Sequence, residues 1–342
     1  MRWFTTFGPV EVVEQLLRLG RRGVELRPFC QSAGVQPRGY SRPLQRVLAD
    51  FGAEASFGRA SERVKEHYRI EVPASAVRKQ TLDHGRQMAG LAHTYTGRAP
   101  RQIITQMDGS MVPVMQPGKG PDGRKGKTLS WREARLCLAR DAEQAAGVYG
   151  ATLGTADIAS GLWRLTALQA GLHDQAFVHG VGDGAPWIVD KFRENFGQQG
   201  RYLIDYYHLS EYLAAAAPTV AAKGKVHPWR RRQQGRLLNN QSHKVLRSME
   251  AHQEIATAAE TPVRDACRYL KERQNQLDYA AARRHQLPIG SGEIESAHRH
   301  VIQQRLKLAG AWWKETNLEP MLQLRVARAN NRWTSYWSNA KN

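Results

Sequence analysis

Two carboxylates occupy matching places in the chain. Asp108 follows the short run Gln102-Ile103-Ile104-Thr105-Gln106-Met107, and Asp183 follows Ala176-Phe177-Val178-His179-Gly180-Val181-Gly182. Both runs are strand-like, and Gly109 and Gly184 come directly after the two acids. A carboxylate at the C-terminal end of a strand projects from a rigid sheet into the crevice where open α/β sheets bind ligands. The glycines leave room for a phosphate or a metal, although an Asp-Gly pair on its own also makes an ordinary turn. A third carboxylate is expected from the helical run after Gly290-Ser291-Gly292, where Glu293 and Glu295 both qualify. At about 100° per residue they point about 200° apart, so only one can join the aspartates. Three converging carboxylates repel one another unless divalent cations neutralise them, and hard oxygens favour Mg²⁺ or Mn²⁺ over zinc. Such a trio can hold two ions about 3.5–4 Å apart for an in-line phosphoryl displacement, chemistry that needs no nucleophilic side chain. No Ser/His/Asp or Cys/His arrangement has recognisable spacing.

A further acid stands in Asp205-Tyr206-Tyr207-His208, at the end of the strand-like run Tyr202-Leu203-Ile204. His208 there can hydrogen-bond a phosphate oxygen or orient an acidic ligand. Equally, Asp205 can cap the next helix and leave His208 in its first turn.

The elements that would position these acids change texture along the chain. The first hundred residues read as helices: Val10 to Leu19 with Gly20 as a stop, Leu44 to Phe51, Phe57 to Tyr68, and Ala74 to Met88 with Ser75 as a cap. The last two resemble a helix-turn-helix, in which Arg78, Lys79 and Arg86 would face DNA. The long connection between them suits a trihelical bundle with a solvated basic face as well. From Pro100 the order reads β-β-β-α-β-α-β. It comprises strands at Gln102 to Met107, Met111 to Met115 and Trp131 to Arg140, a helix at Ile158 to Leu172, a strand at Ala176 to Val181, a helix at Pro186 to Phe196 and a strand at Tyr202 to Asp205. Asp108-Gly109 makes the first turn in this reading. That order predicts an α/β fold, a mixed sheet with helices on its faces. Residues 209–288 lose all strand signal and read as a basic helical insertion, and helical runs return at Glu293 to Lys307 and Leu318 to Trp333. The expected organisation is therefore 1–99, 100–208, 209–288 and 289–342.

Charge names the partner class. Of 342 residues, 50 are Lys or Arg and 31 are Asp or Glu, a formal net charge of +19. An excess of this size opposes compaction unless a polyanion compensates it, so DNA or RNA is expected. No apolar run reaches the roughly 18 residues of a bilayer span and no secretory signal opens the chain, which predicts a cytoplasmic protein. Cys30, Cys137 and Cys267 lack the spacing of a disulfide framework or a zinc site.

Taken together, Asp108-Gly109, Asp183-Gly184, Asp205-Tyr206-Tyr207-His208, the helical insertion and Gly290-Ser291-Gly292-Glu293-Ile294-Glu295-Ser296 resemble a DDE transposase of a bacterial insertion sequence. The nearest group is the Kra-four insertion-sequence family, related to the Mutator-like transposases. Gln304-Arg305-Leu306-Lys307 and Gly310-Ala311-Trp312 look like that family's tail. The resemblance covers about residues 40 to 335. It implies a ribonuclease H-like core, metal ligation by Asp108, Asp183 and Glu295, two Mg²⁺ or Mn²⁺ ions, and His208 as an assisting residue. It also implies cleavage at transposon terminal inverted repeats and joining of the 3′ hydroxyl to target DNA, by at least a dimer on the DNA.

Other residues bear on DNA. Trp229-Arg230-Arg231-Arg232 suits phosphate gripping with a stacking Trp, or a solvated basic face with one core Trp. Arg305 and Lys307 could contact a phosphate near the cut. Trp312-Trp313 suits helix-packing bulk or a wedge at the cleaved end. Lys119, Lys125 and Lys127 lie on a Gly-rich loop without phosphate-loop spacing. Two other function classes compete: a non-catalytic DNA-binding regulator, and a structure-specific nuclease that cuts without joining.

Overall fold

The computed structural model describes residues 1–18, 20, 23, 25–89, 91, 95–116, 118, 126–255 and 257–339. The chain divides into two compact units, Met1–Ala92 with Met111–Glu133 and Arg299–Asn342, and His93–Ser110 with Ala134–His298.

The first unit opens with antiparallel strands, β1 (Arg2–Thr5) on β2 (Gly8–Glu11) and β3 (Leu17–Arg18) on β4 (Glu25–Leu26). The helix expected over Val10 to Leu19 is thus not formed; Leu19 lies outside the described residues, and Val13 and Leu16 are exposed. Val10, Val12 and Val13 are β-branched and stiff at χ1, which favours the extended chain, and pairing with β1 satisfies the backbone of Gly8–Glu11. Helices follow: α1 (Pro28–Ala33), α2 (Arg42–Glu54), α3 (Phe57–Tyr68) and α4 (Ala74–Met88). Ser41 and Ser56 cap α2 and α3 through the amides of Leu44 and Arg59. The expected cap Ser75 lies inside the first turn of α4, whose N-cap is Pro73. Leu44, Leu48, Val64 and Val77 form the small core of these helices.

The second unit is built on one sheet. Its strands are β5 (Gln102–Gln116), β6 (Thr128–Asp141), β7 (Val148–Thr152), β8 (Phe177–Gly182) and β9 (Gly200–Ile204); β5 and β6 also run into the first unit's residues. Helices α5 (Ala156–Gln169) and α6 (Pro186–Phe196) connect the later strands, and the sheet order is β7-β6-β5-β8-β9. β5, β8 and β9 are parallel, whereas β7 is antiparallel to β6, so the sheet is mixed. The element order is the expected one with different boundaries. Asp108-Gly109 is not a turn, because β5 runs straight through it. The Asp108 carboxylate accepts the Gly109 amide at 2.7 Å and holds the pair extended. The third strand of the order is Val148–Thr152, which the sequence reading passed over.

Helices α5 and α6 cover one face: the Trp163 indole donates to the Thr105 hydroxyl, and the Phe192 ring fills the space beside Gly180. From β9 the chain enters α7 (Tyr206–Val220), α8 (Val226–Leu238), α9 (Ser242–Glu250), α10 (Pro262–Glu272), a 3₁₀ turn at Gln274–Gln276 and α11 (Tyr279–Arg284). The expected single run from Arg231 to Ala251 breaks at Asn240, whose φ of 56° ends α8. Helix α12 (Gly292–Ala297) passes into a π-helical segment, His298–Gln303. Then come α13 (Gln304–Leu306), α14 (Glu315–Ala329) and α15 (Trp333–Asn339). Among the described residues no helix is long and apolar enough to cross a membrane.

Candidate active site

Strand register brings the aspartates together. β5 pairs with β8 through Thr105↔Gly180, and continuing that register places Asp108 level with Asp183. β8 pairs with β9 through Gly182↔Ile204, which places Asp183 level with Asp205. Asp108 lies within β5, while Asp183 and Asp205 each directly follow the last residue of their strands, β8 and β9, so the three acids stand at neighbouring places along one end of the parallel part of the sheet. Because side chains alternate along a strand, Asp108 shares a face with Gln106, opposite the face that Thr105 presents to α5.

The same face carries α12. Gln106 Oε1 accepts the Ile294 amide at 2.9 Å, and His179 is hydrogen-bonded to the Pro288 carbonyl at 2.8 Å. Burial lowers the pKa of His179 and keeps the ring neutral there. Asp205 fixes where the helix begins. It is 2% exposed, and its Oδ1 accepts the amides of Tyr207 and His208 at 2.6 and 3.1 Å. Its Oδ2 accepts the Ser291 amide at 2.6 Å and also the Ser291 hydroxyl. Gly290 lets this junction close, since a Cβ would stand 2.6 Å from the Tyr207 ring. Asp205 is thus the helix cap of the two readings offered for it, with His208 in the first turn of α7. The His208 Nδ1 stands 3.6 Å from Glu211 Oε2, and its ring packs edge-on against Tyr212 and Tyr269.

The two glutamates of α12 separate as their spacing requires. Glu293 turns to β6, where Arg140 grips both its oxygens at 2.7 Å. That hydrogen bond leads the causes that raise the Arg140 pKa. Glu295 is exposed and turns the other way, its Oε1 3.4 Å from the Ser291 hydroxyl that holds Asp205. Next to it stands a residue the sequence reading missed. The His298 Nε2 lies 3.3 Å from Asp108 Oδ2, with its side chain 4% exposed. Its signal was Glu295-x-x-His298, a spacing that puts both side chains on one helix face. Among the described residues, no group of three or more His, Cys, Asp and Glu side chains is gathered closely enough to hold a metal ion as placed.

The phosphate-gripping candidates divide by exposure. Arg78, Lys79, Arg86, Arg231, Arg232 and Lys307 are exposed, and Arg230 is half-buried beside the partly buried Trp229. Arg305 corrects the expectation: it is 2% exposed, donates to the Gly52 carbonyl at 2.9 Å and lies 4.8 Å from the centres of both the Phe57 and Trp313 rings. Burial pushes its guanidinium down to about 10, and its place is in the core. Trp313 is buried with it, while Trp312 is exposed. Lys119 and Lys125 lie outside the described residues; Lys127 is exposed.

Residues 172–337 match a family described as an uncharacterised protein family, UPF0236. No curated protein matches the chain. Among solved structures, the Drosophila P element transposase strand transfer complex aligns with 90% of this chain and 82% of that chain, at 10% identity and a TM-score of 0.32. A likeness that loose carries no weight for fold or function.

Proposed function

We propose that this chain is a metal-dependent DNA transposase of the DDE type, with a ribonuclease H-like core and a helix-turn-helix-like N-terminal region. One observation carries the reading: Asp108 in β5 and Asp183 directly after the neighbouring parallel strand β8 each stand three residues beyond the last pair of those two strands, beside a helix whose Glu293 is held by Arg140 and whose Glu295 is turned to Ser291. The sheet order β7-β6-β5-β8-β9, three strands in sequence order followed by two parallel ones, supports the core assignment.

The donor chemistry fits the ions. Asp108, Asp183 and Glu295 offer only hard oxygens, the set that suits Mg²⁺ or Mn²⁺, and these are the residues that would hold two such ions. Ions bound there supply neutralisation of phosphodiester charge and a more acidic attacking water. The chain's own residues do the positioning. Arg140 removes Glu293 from competition, Asp205 sets the start of α12, and His298 orients the Asp108 carboxylate. His208, in the first turn of α7, assists at the strand being cut. Exposed Arg78, Lys79, Arg86, Arg231, Arg232 and Lys307, with Arg230, would grip phosphates, and water and then the freed 3′ hydroxyl would attack in line.

The test is cleavage of a terminal-repeat duplex and strand transfer of a pre-cleaved end, each with Mg²⁺ or Mn²⁺. Asp108→Asn should abolish both while DNA affinity is kept or increased, since a negative charge near phosphate is lost. Glu295→Gln should reduce turnover by more than the roughly 100-fold that loss of an outer-shell partner costs, and Glu293→Gln by less. Retained activity in Asp108→Asn defeats the assignment, and cutting without joining identifies a nuclease instead.

A further inference from the structure

We propose that Tyr269 and Arg273, at the end of α10 in the helical insertion, are positioning residues that set the backbone carrying Asp183. This inference rests on the transposase reading, because it concerns the same carboxylate.

The contacts converge on two consecutive carbonyls. The Tyr269 hydroxyl donates to the Asp183 carbonyl, from a residue 86 positions away in sequence. Arg273 donates to the Gly184 carbonyl through Nη2 at 3.0 Å and Nε at 3.3 Å. The two side chains hold each other, with the Arg273 guanidinium 4.0 Å from the Tyr269 ring centre. On the far side of that ring Tyr212 stacks at 4.3 Å and 19°, so α7 and α10 clamp the phenol between them.

The segment they hold has little freedom of its own. Gly184 has φ +76°, and a Cβ there would stand 2.4 Å from Ile204 and 2.8 Å from Arg273 Nε. Only glycine fits this left-handed position under the guanidinium. Asp183 Oδ1 accepts the Ala185 amide at 2.9 Å, which ties the carboxylate's direction to the turn that Tyr269 and Arg273 fix. Burial raises the Tyr269 pKa, the Arg273 charge opposes this and the Asp183 charge reinforces it, so the phenol remains a donor. Through these contacts the insertion reaches the candidate metal site by its backbone, without supplying a ligand.

Tyr269→Phe deletes one hydroxyl, and Arg273→Lys keeps the charge while losing the planar fork. In the full chain, Mn²⁺ titration by calorimetry should show binding weakened by roughly tenfold in each variant, as outer-shell partners of metal ligands typically do. Thermal midpoint should fall by no more than a few degrees, the cost of about 1 kcal/mol for a lost hydrogen bond, and DNA affinity should stay at the wild-type value. Hydrogen exchange at the Ala185 amide should accelerate in both variants, a readout independent of metal. Unchanged Ala185 exchange and unchanged Mn²⁺ affinity in both variants overturn the proposal. A wild-type chain that binds no Mn²⁺ overturns the metal reading instead, and the Ala185 exchange then decides the positioning role alone.

Discussion

At the scale of single residues, the sequence picked out candidate acids and concealed what each of them contacts. Asp108 and Asp183 were legible because each ends a strand-like run and precedes glycine, Asp205 because it follows a third such run, and Glu293 and Glu295 because they open the helical run after Gly290-Ser291-Gly292. The division of labour was not legible, because it depends on partners more than 80 positions away, Ser291 for Asp205 and Arg140 for Glu293. Arg305 shows the same blindness: a basic residue in a basic chain reads as a phosphate contact until two aromatic rings close around it. Asp205 gives the sharpest prediction here. Its carboxylate receives four hydrogen bonds in a buried position, and both oxygens act only as acceptors. In Asp205→Asn one of these oxygens becomes an amide group that faces donors. Loss of charge-assisted bonds with buried donors left unmade should cost about 3 kcal/mol. Urea unfolding at neutral pH measures it, and a loss under about 1 kcal/mol would show that the junction is held by other contacts.

Elements were legible where their ends carry local signals. Phe57–Tyr68, Ala74–Met88 and Pro186–Phe196 form with the expected ends. Boundaries failed where local chemistry admits two conformations, as at Asp108-Gly109, which can turn or extend, and in the valine-rich run that pairs as a strand. Between α4 and α15 lies a buried ring whose titration ties these elements to pH. His84 is 3% exposed, with Nδ1 2.7 Å from the Tyr336 hydroxyl and Nε2 3.0 Å from Gln45 Oε1. Burial, reinforced by the Arg42 charge and opposed by Asp83, lowers its pKa to about 4. The folded value lies below the ordinary 6.5, so the unfolded chain binds the proton first. Its contribution is present above pH 6.5 and is lost as pH falls through 6.5 towards 4. Between pH 7 and pH 5 this amounts to about 2 kcal/mol of stability. An NMR titration should show the His84 ring still neutral at pH 5, and a midpoint near 6.5 would refute the linkage.

For the whole molecule the governing quantity is the net charge of +19, and the question is which cations are free to meet phosphate. Neutralising one phosphate changes the slope of log affinity against log salt by about 0.9. A cation already paired to a carboxylate releases fewer counterions on binding. Lys79 and Arg86 are both paired with Asp83, at 3.3 and 2.7 Å. Arg231 and Arg232 are exposed on α8, and among the described residues no carboxylate pairs with either. If both of the latter meet phosphates, Arg231→Ala with Arg232→Ala should flatten the salt slope by about 2. Lys79→Ala with Arg86→Ala should flatten it by less, because removing the pair also unmasks Asp83 to repel the DNA. That repulsion predicts an affinity loss at low salt greater than the slope change alone implies. Fluorescence anisotropy on a duplex across a salt series measures both quantities, and equal slopes in wild type and the Arg231/Arg232 variant would remove the helical insertion from the DNA-binding surface.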